Sequence, residues 1–360
     1  MTRIRPSDLL ACERALNRIT NAASFECKEL AQFAIKSVEK DKREFFESLV
    51  KRRVLNREPL QYITKEWDFS ILQNIQVRSP VLIPRPETEE LVRLIEIYIR
   101  RDFLDGKTAN IIEIGTGCGA ISISLLKLFD LDQIQNILGI EINKDAYNLP
   151  LENATKFNVG KRLQVLNKDF FQWIKEYDKN GINSIKPEYD ENGSNVINRN
   201  TNPHPFFNIL ISNPPYIPEN EMNILEPEVI KWESKEALFG GSSNGLEFTL
   251  KMLQSLGKST LLSNSSSLAF FEVHYTHPAL LISILQPSSR GSRMILPPVS
   301  PYGKDVSIEI PHLDTLQDFV SEEEVQELRQ SWQFKSAYSD FREMPRFIVL
   351  TRHKRGLSLE

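Results

Sequence analysis

The stretch Ile111-Ile112-Glu113-Ile114-Gly115-Thr116-Gly117-Cys118-Gly119-Ala120 places three glycines at alternate positions between an apolar run and a segment, 121–129, with helical apolar spacing. Such a run reads as a strand, and the glycines as a tight turn that lets backbone approach a ligand closely. The helix that follows offers free N–H groups and a positive dipole end to anything anionic. A chain built this way must form a β–α unit, and the rhythm continues. Apolar runs at 110–114, 137–141, 163–166, 207–212 and 268–273 are short, as expected of strands covered on both faces. Helical patterns lie between several of them, notably at 121–129 and 246–256, which predicts an α/β domain with a largely parallel sheet. Two late β-rich runs, 332–338 and 346–351, read as an antiparallel hairpin at the sheet edge.

The flanking segments follow other patterns. Between residues 9 and 55 the apolar positions fall at helical spacing, which predicts a small helical domain over 1–57. The connector 58–88 holds short β-like pieces at 67–71 and 75–77 and closes on Leu82-Ile83-Pro84-Arg85-Pro86-Glu87-Thr88, with Thr88 as the expected N-cap of the next helix. The remaining residues, 89–360, make the α/β domain. Within it, 178–205, rich in Asn, Pro, Gly and Ser, and 286–303, rich in Pro and Ser, are expected to be mobile insertions.

Composition narrows the function classes. The 360 residues carry 44 Lys+Arg against 48 Asp+Glu, a net charge of −4, which speaks against a protein built to hold nucleic acid. Three scattered cysteines, none in a C-x-x-C pair, suit a reducing compartment. No apolar run approaches a membrane span. The first twenty residues hold four arginines but also Asp8 and Glu13, a weak match to an acid-poor mitochondrial transit peptide.

Two constellations carry the chemistry. Glu141 ends the run after the glycine loop, where a carboxylate is placed to accept both hydroxyls of an adenosine ribose. Because Gly115, Gly117 and Ala120 also fit G-x-G-x-x-G/A, this segment alone leaves a dinucleotide-dependent oxidoreductase open. The second constellation is Asn213-Pro214-Pro215-Tyr216, just past an apolar run and on the sheet edge where open α/β folds bind ligands. Consecutive prolines remove two donors and hold the Pro214 carbonyl rigidly. An N–H₂ group could donate one hydrogen to Asn213 and one to Pro214 while stacking on Tyr216. That suits a planar amide or amine.

Asn-Pro-Pro-Tyr after a strand, with Glu-Ile-Gly-Thr-Gly-Cys-Gly and Leu-Ile-Pro-Arg-Pro-Glu-Thr upstream, closely resembles the HemK family, the peptide-chain release factor glutamine methyltransferases. The segment Glu226-Pro227-Glu228-Val229 with Ala237-Leu238-Phe239-Gly240-Gly241 and Gly245-Leu246 is similar to this family in particular. The resemblance covers roughly 58–248 and implies a seven-stranded Rossmann-like methyltransferase domain behind a helical substrate-docking domain. It implies that Gly115, Thr116, Gly117, Cys118 and Gly119 hold S-adenosylmethionine, that Glu141 binds its ribose, and that Asp169 and Phe170 lie against its adenine. Asn213, Pro214, Pro215 and Tyr216 would hold the substrate glutamine of a Gly-Gly-Gln motif. In that role Asn213, Pro214 and Tyr216 are the expected catalytic residues, with Asn213 also touching the cofactor.

This chain departs from the family pattern at Phe170, where members often have Trp, and at 178–205, absent from compact members. Pro150 falls inside an expected helix, which should therefore start late or kink. Phe271-Glu272-Val273-His274 replaces a Glu-Ile-Gly type sequence. His274 and His277 have no third metal ligand at suitable spacing and are expected on the surface, so no metal is expected. Arg85 is expected to hold an anion or to bond neighbouring backbone. The expected partner is a release factor, with no stable nucleic-acid binding, no membrane and a monomeric state. The compartment would be the mitochondrial matrix in a eukaryote and the cytoplasm otherwise. Adenine-N6 methylation of DNA or RNA, where a flipped base would use the same acceptors, is the alternative.

Overall fold

The computed structural model describes residues 3–103, 107–180, 207–241, 244–262, 267–312, 316 and 319–353. Helices α1 (Pro6–Leu16), α2 (Ala23–Lys36) and α3 (Lys42–Leu55) come first, packed around Leu16, Leu30, Phe46 and Leu49. Asp41 caps α3 by accepting from the backbone N–H groups of Arg43 and Glu44. A short α4 (Leu60–Thr64) leads into the hairpin of β1 (Glu66–Phe69) and β2 (Leu72–Gln76). Helix α5 (Pro86–Asp102) then starts three residues earlier than expected, with Arg85 at its N-cap. Thr88 is therefore buried in the first turn, not a cap. Pro86 explains the shift: at the first helical position its missing N–H costs nothing and its φ is already helical.

The α/β domain runs β3 (Ala109–Ile114), α6 (Ala120–Leu128), β4 (Ile134–Glu141), α7 (Lys144–Lys156), β5 (Leu163–Asn167), α8 (Phe170–Asn180) and β6 (Ile209–Ser212). It continues through α9 (Glu219–Met222), α10 (Pro227–Trp232), α11 (Glu247–Lys258), β7 (Leu268–Glu272), α12 (His277–Leu285), β8 (Arg293–Leu296) and β9 (Val306–Glu309). Helix α13 (Glu322–Ser331) and the strands β10 (Trp332–Ser339) and β11 (Pro345–Arg352) follow. The main sheet has seven strands in the order β10-β11-β7-β6-β3-β4-β5. The five from β7 to β5 are parallel, and the β10–β11 hairpin closes the edge antiparallel.

Alternate residues of each strand feed the two layers. Ile111, Ile209 and Phe270 pack with α5, α6 and α7, while Ile112, Leu210 and Phe271 pack with α8, α11 and α12. This is a doubly wound Rossmann-like sheet, as expected from the apolar runs. Chain order reverses between β3 and β6, so a cleft opens beyond their carboxyl ends.

Three expectations are corrected. Helix α7 does not start late: it begins at an Asn143 cap and runs through Pro150 to Lys156. Asn153 pins it there, its side chain exchanging hydrogen bonds with the Gln76 backbone and donating to the Cys118 carbonyl. The 178–205 stretch begins inside α8, where the Asp178 carboxylate accepts from the Ser259 hydroxyl at 2.7 Å and the Thr260 N–H at 3.1 Å; 181–205 lies outside the described residues. The 286–303 stretch carries β8, paired with β9, and buries Leu296 and Val299. Its apolar anchors are few but sit where strands form.

Candidate functional site

At the switch point the chain from β3 turns through Gly115, Gly117 and Gly119, with φ of +79°, +56° and +84°, a region open to glycine at little cost. The Glu141 carboxylate, at the end of β4, accepts from the Gly117 N–H at 2.8 Å and the Asn143 N–H at 2.9 Å. It is 7% exposed, and burial pushes its pKa up against those two N–H groups. Thr116 covers Gly139, where a Cβ would come within 2.3 Å of its Oγ1. Burial pushes the Cys118 thiol up to about 12, so it is no nucleophile at neutral pH.

Above this loop lies a cavity of about 700 Å³, bounded by the glycines, Glu141, Asp169, Phe170 and Asn213. The sequence-expected cofactor residues are thus brought together. Asp169 caps α8 by accepting from the Gln172 N–H. Phe170 belongs to an aromatic wall: Phe171 lies edge-on at 5.3 Å, and Phe248 of α11 at 5.3 Å from Phe171. One lining acid was not anticipated. Glu113, inside the apolar β3 run, accepts from the Ser122 hydroxyl, and burial, aided by the Glu141 charge, pushes it up to about 8. Its visible signal was a lone acid in an otherwise apolar strand.

Asn213 follows β6 and lines both this cavity and a second one of about 340 Å³, shared with Tyr216, Arg85, Glu221, His274 and Arg346. The Asn213 Nδ2 donates to the Thr88 Oγ1 at 3.3 Å. The Tyr216 hydroxyl donates to Glu272 at 3.3 Å and takes the Arg346 guanidinium at 3.5 Å. Glu272, at the end of β7, is completely buried. Burial pushes its carboxyl up to about 7, opposed by Thr88 and Arg346.

Behind Tyr216 the chain returns closely. The Ile217 N–H donates to the Leu238 carbonyl at 2.8 Å, and a Cβ on Gly245 would lie 2.2 Å from the Tyr216 carbonyl oxygen. Gly240 and Gly245 are therefore what allows Leu238 and the residues beside them to brace the Asn-Pro-Pro-Tyr turn.

Other expectations shift. His274 and His277 are 6% and 0% exposed, not surface residues. His277 bonds the Asn244 carbonyl at 2.7 Å, and His274 lies between Thr276 and Glu221. Arg85 pairs with Glu233 at 2.6 Å in place of backbone. Among the described residues no group of three potential metal ligands occurs, and no helix is long and apolar enough to cross a membrane.

No protein-family model matches the chain. The human MTRF1L release factor glutamine methyltransferase is 33% identical over 239 residues, 65% of this chain and 61% of that protein. The release factor glutamine methyltransferase of Thermodesulfovibrio yellowstonii is 30% identical over 273 residues, 72% of this chain and 83% of that protein. The chain thus spans about three fifths of the human relative's length. A crystal structure of ribosomal protein L11 methylase from Lactobacillus delbrueckii subsp. bulgaricus aligns with a TM-score of 0.36 at 11% identity, covering 74% of this chain and 79% of that one.

Proposed function

The chain belongs to the release factor glutamine methyltransferases, and on that footing we propose that it transfers a methyl group from S-adenosylmethionine to the side-chain amide nitrogen of the glutamine in a release factor's Gly-Gly-Gln motif, supporting translation termination. The observation that carries this reading is Asn213 on the wall shared by two cavities, the larger over the glycine loop. The relatives named above are protein-glutamine enzymes by name, so the adenine alternative is not favoured.

The residues present fit the cofactor. A three-glycine cradle with a carboxylate at the next strand's end suits an adenosine ribose, and Asp169 and Phe170 suit the adenine. The buried Glu113 suits a cationic group. Bound there, S-adenosylmethionine supplies an electrophilic methyl on a positively charged sulfur.

The chain's own task is alignment and polarisation. An amide nitrogen is a poor nucleophile, its lone pair being shared with the carbonyl. The Asn213 Oδ1 and the Pro214 carbonyl, accepting its two hydrogens, would raise its electron density and stabilise the positive charge that grows on it. The Tyr216 ring, beside Pro215, would support the amide plane. No base is needed before transfer, since the proton can leave afterwards.

The test is methyl transfer from labelled S-adenosylmethionine to a purified release factor, beside adenine-bearing DNA and RNA. Label in the release factor alone supports the reading; label in nucleic acid alone overturns it. Calorimetry with S-adenosylmethionine and a nicotinamide dinucleotide separates the oxidoreductase reading, which requires the second to bind.

Two consequences concern the cofactor. Glu141→Ala should weaken S-adenosylmethionine binding at least tenfold, since a charge-assisted hydrogen bond is worth about 1.5–3 kcal/mol and the Gly117 N–H loses its partner too. Unaltered affinity by calorimetry would contradict the assignment. Glu113 predicts a pH dependence. Protonated below about 8 in the free protein, it must lose its proton to pair with a cation. Affinity should therefore rise with pH up to about 8 and then level off, and Glu113→Gln should flatten the profile.

The same reading places the protein as a monomer without stable nucleic-acid contacts, and in the mitochondrial matrix if the source is a eukaryote. Sedimentation and fluorescent tagging of the full chain check these points.

A further inference from the structure

We propose that Glu228 is a positioning residue for methyl transfer: by fixing α10 to the end of α3 it sets the wall of the second cavity, so that the helical N-terminal segment shapes the acceptor site and does not only grip a substrate. The inference deepens the function proposed above and rests on an amide entering that cavity beside Asn213.

Helix α10 is six residues long, and none of them is fully buried. A helix that short is marginal by itself. Its one packed side chain is the Trp232 ring, which leans on the small cluster of Tyr62, Val77 and Ile83. Val229 of this helix and Leu225, two residues before it, nevertheless line the second cavity together with Asn213 and Tyr216. A wall so lightly packed has to be fixed by polar bonds.

Those bonds come from the N-terminal segment. Glu228 gives one carboxylate oxygen to each of two guanidiniums, Oε1 to Arg53 and Oε2 to Arg57, both at 2.7 Å. Charge-assisted bonds of this kind are about twice as strong as neutral ones. The Trp232 indole adds a bond to the Asn56 carbonyl at 3.2 Å. The residues that follow α10 are tied to the cavity itself. Glu233 takes Arg85, a lining residue, at 2.6 Å, and the Ser234 N–H donates to the Pro80 carbonyl at 2.8 Å. The chain then reaches Leu238, whose carbonyl accepts from the Ile217 N–H beside Tyr216. Residues 53–57, α10 and the Asn-Pro-Pro-Tyr turn thus form one braced series. Releasing Glu228 frees α10, and Val229 with it, to shift, and a displacement of about 1 Å at a reacting group can cost about 10²-fold in rate.

The test uses Glu228→Ala, which cuts both guanidinium bonds yet strands neither cation, because Arg53 keeps Glu26 at 2.7 Å and Arg57 has Glu226 at 3.7 Å. Kinetics are read well below the melting temperature on a whole release factor and on a short Gly-Gly-Gln peptide, which lacks any surface for residues 1–57 to grip. The kcat should fall by about tenfold on both, with S-adenosylmethionine affinity near wild type. Hydrogen exchange in the full chain without substrate should quicken at the Ile217 N–H and not at the Gly115 N–H, which donates to the Ile140 carbonyl on the cofactor side. Arg57→Met, which leaves Glu228 paired with Arg53, should give a smaller loss of the same kind, and Arg57→Lys, which keeps the cation, should restore it. This pair keeps the proposal falsifiable if Glu228→Ala folds poorly.

Wild-type peptide kcat and Ile217 exchange in Glu228→Ala, with only the KM for the whole factor raised, would confine the joint to docking and overturn the proposal. Ile217 exchange that responds to Glu228→Ala, in a protein whose wild type methylates neither substrate, would support the brace while refuting the substrate.

Discussion

Replacing Asn213 by alanine is expected to lower methyl transfer by about 10²- to 10³-fold, the usual loss when one preorganised hydrogen-bond partner of a developing charge is removed. S-adenosylmethionine affinity should stay near wild type. The split follows from position: Asn213 stands at the boundary between the two cavities, whereas the glycine loop and Glu141 lie on the cofactor side. Pro214 alone would leave one substrate hydrogen without an acceptor, so the decline should fall on kcat. Rapid-quench turnover combined with calorimetry checks both halves. Unchanged turnover would make the Asn-Pro-Pro-Tyr turn a structural element only.

The second large effect is expected at the joint between the helical N-terminal segment and the α/β domain. The Arg53 guanidinium is buried between Glu26, at 2.7 Å, and Glu228 of α10, at 2.7 Å. Arg57 adds a bond to Glu228 at 2.7 Å, and the Trp232 indole donates to the Asn56 carbonyl. Arg53→Ala leaves the buried Glu26 and the half-buried Glu228 with their shared cation gone; breaking a fully buried ion pair typically costs about 3–5 kcal/mol. Chemical denaturation should read a loss near the lower end, because Arg57 still holds Glu228.

Burial opposes it, but the two guanidiniums keep Glu228 below the usual carboxylate range. Its contribution is therefore present above its unfolded pKa and lost as pH falls through the folded value. The variant should lose less stability to acid than wild type does. If residues 1–57 grip the release factor away from its tip, methylation of the whole factor should fall further than cofactor affinity. A variant as stable as wild type would contradict the role given to this joint.

Features set by neighbouring residues were legible in the chain; those set by packing across it were not. The glycine loop and the Asn-Pro-Pro-Tyr turn each occupy a few consecutive residues after an apolar run, so periodicity alone located them on the correct sheet edge. The late hairpin was legible for the same reason. Thr88 was misread because Pro86, two residues before it, starts the helix. Pro150 was misread because Asn153 and the packed face of α7 outweigh one missing hydrogen bond. His274 and His277 looked like surface residues, yet both are buried, His277 against the Asn244 carbonyl and His274 between Thr276 and Glu221. Glu272 had no local signal for its role. The Tyr216 hydroxyl that donates to it comes from a distant segment, and only the strand order of the sheet brings the two together.

The proposed methyl acceptor is a side-chain amide nitrogen at the Gly-Gly-Gln tip. The most direct measurement is tandem mass spectrometry of release factor incubated with the enzyme and S-adenosylmethionine, alongside a factor whose tip reads Gly-Gly-Asn. One methyl is expected on the glutamine side-chain nitrogen and none on the asparagine factor, whose shorter side chain stops about one bond short of the methyl. A methyl on any other residue, or equal modification of both factors, would contradict it.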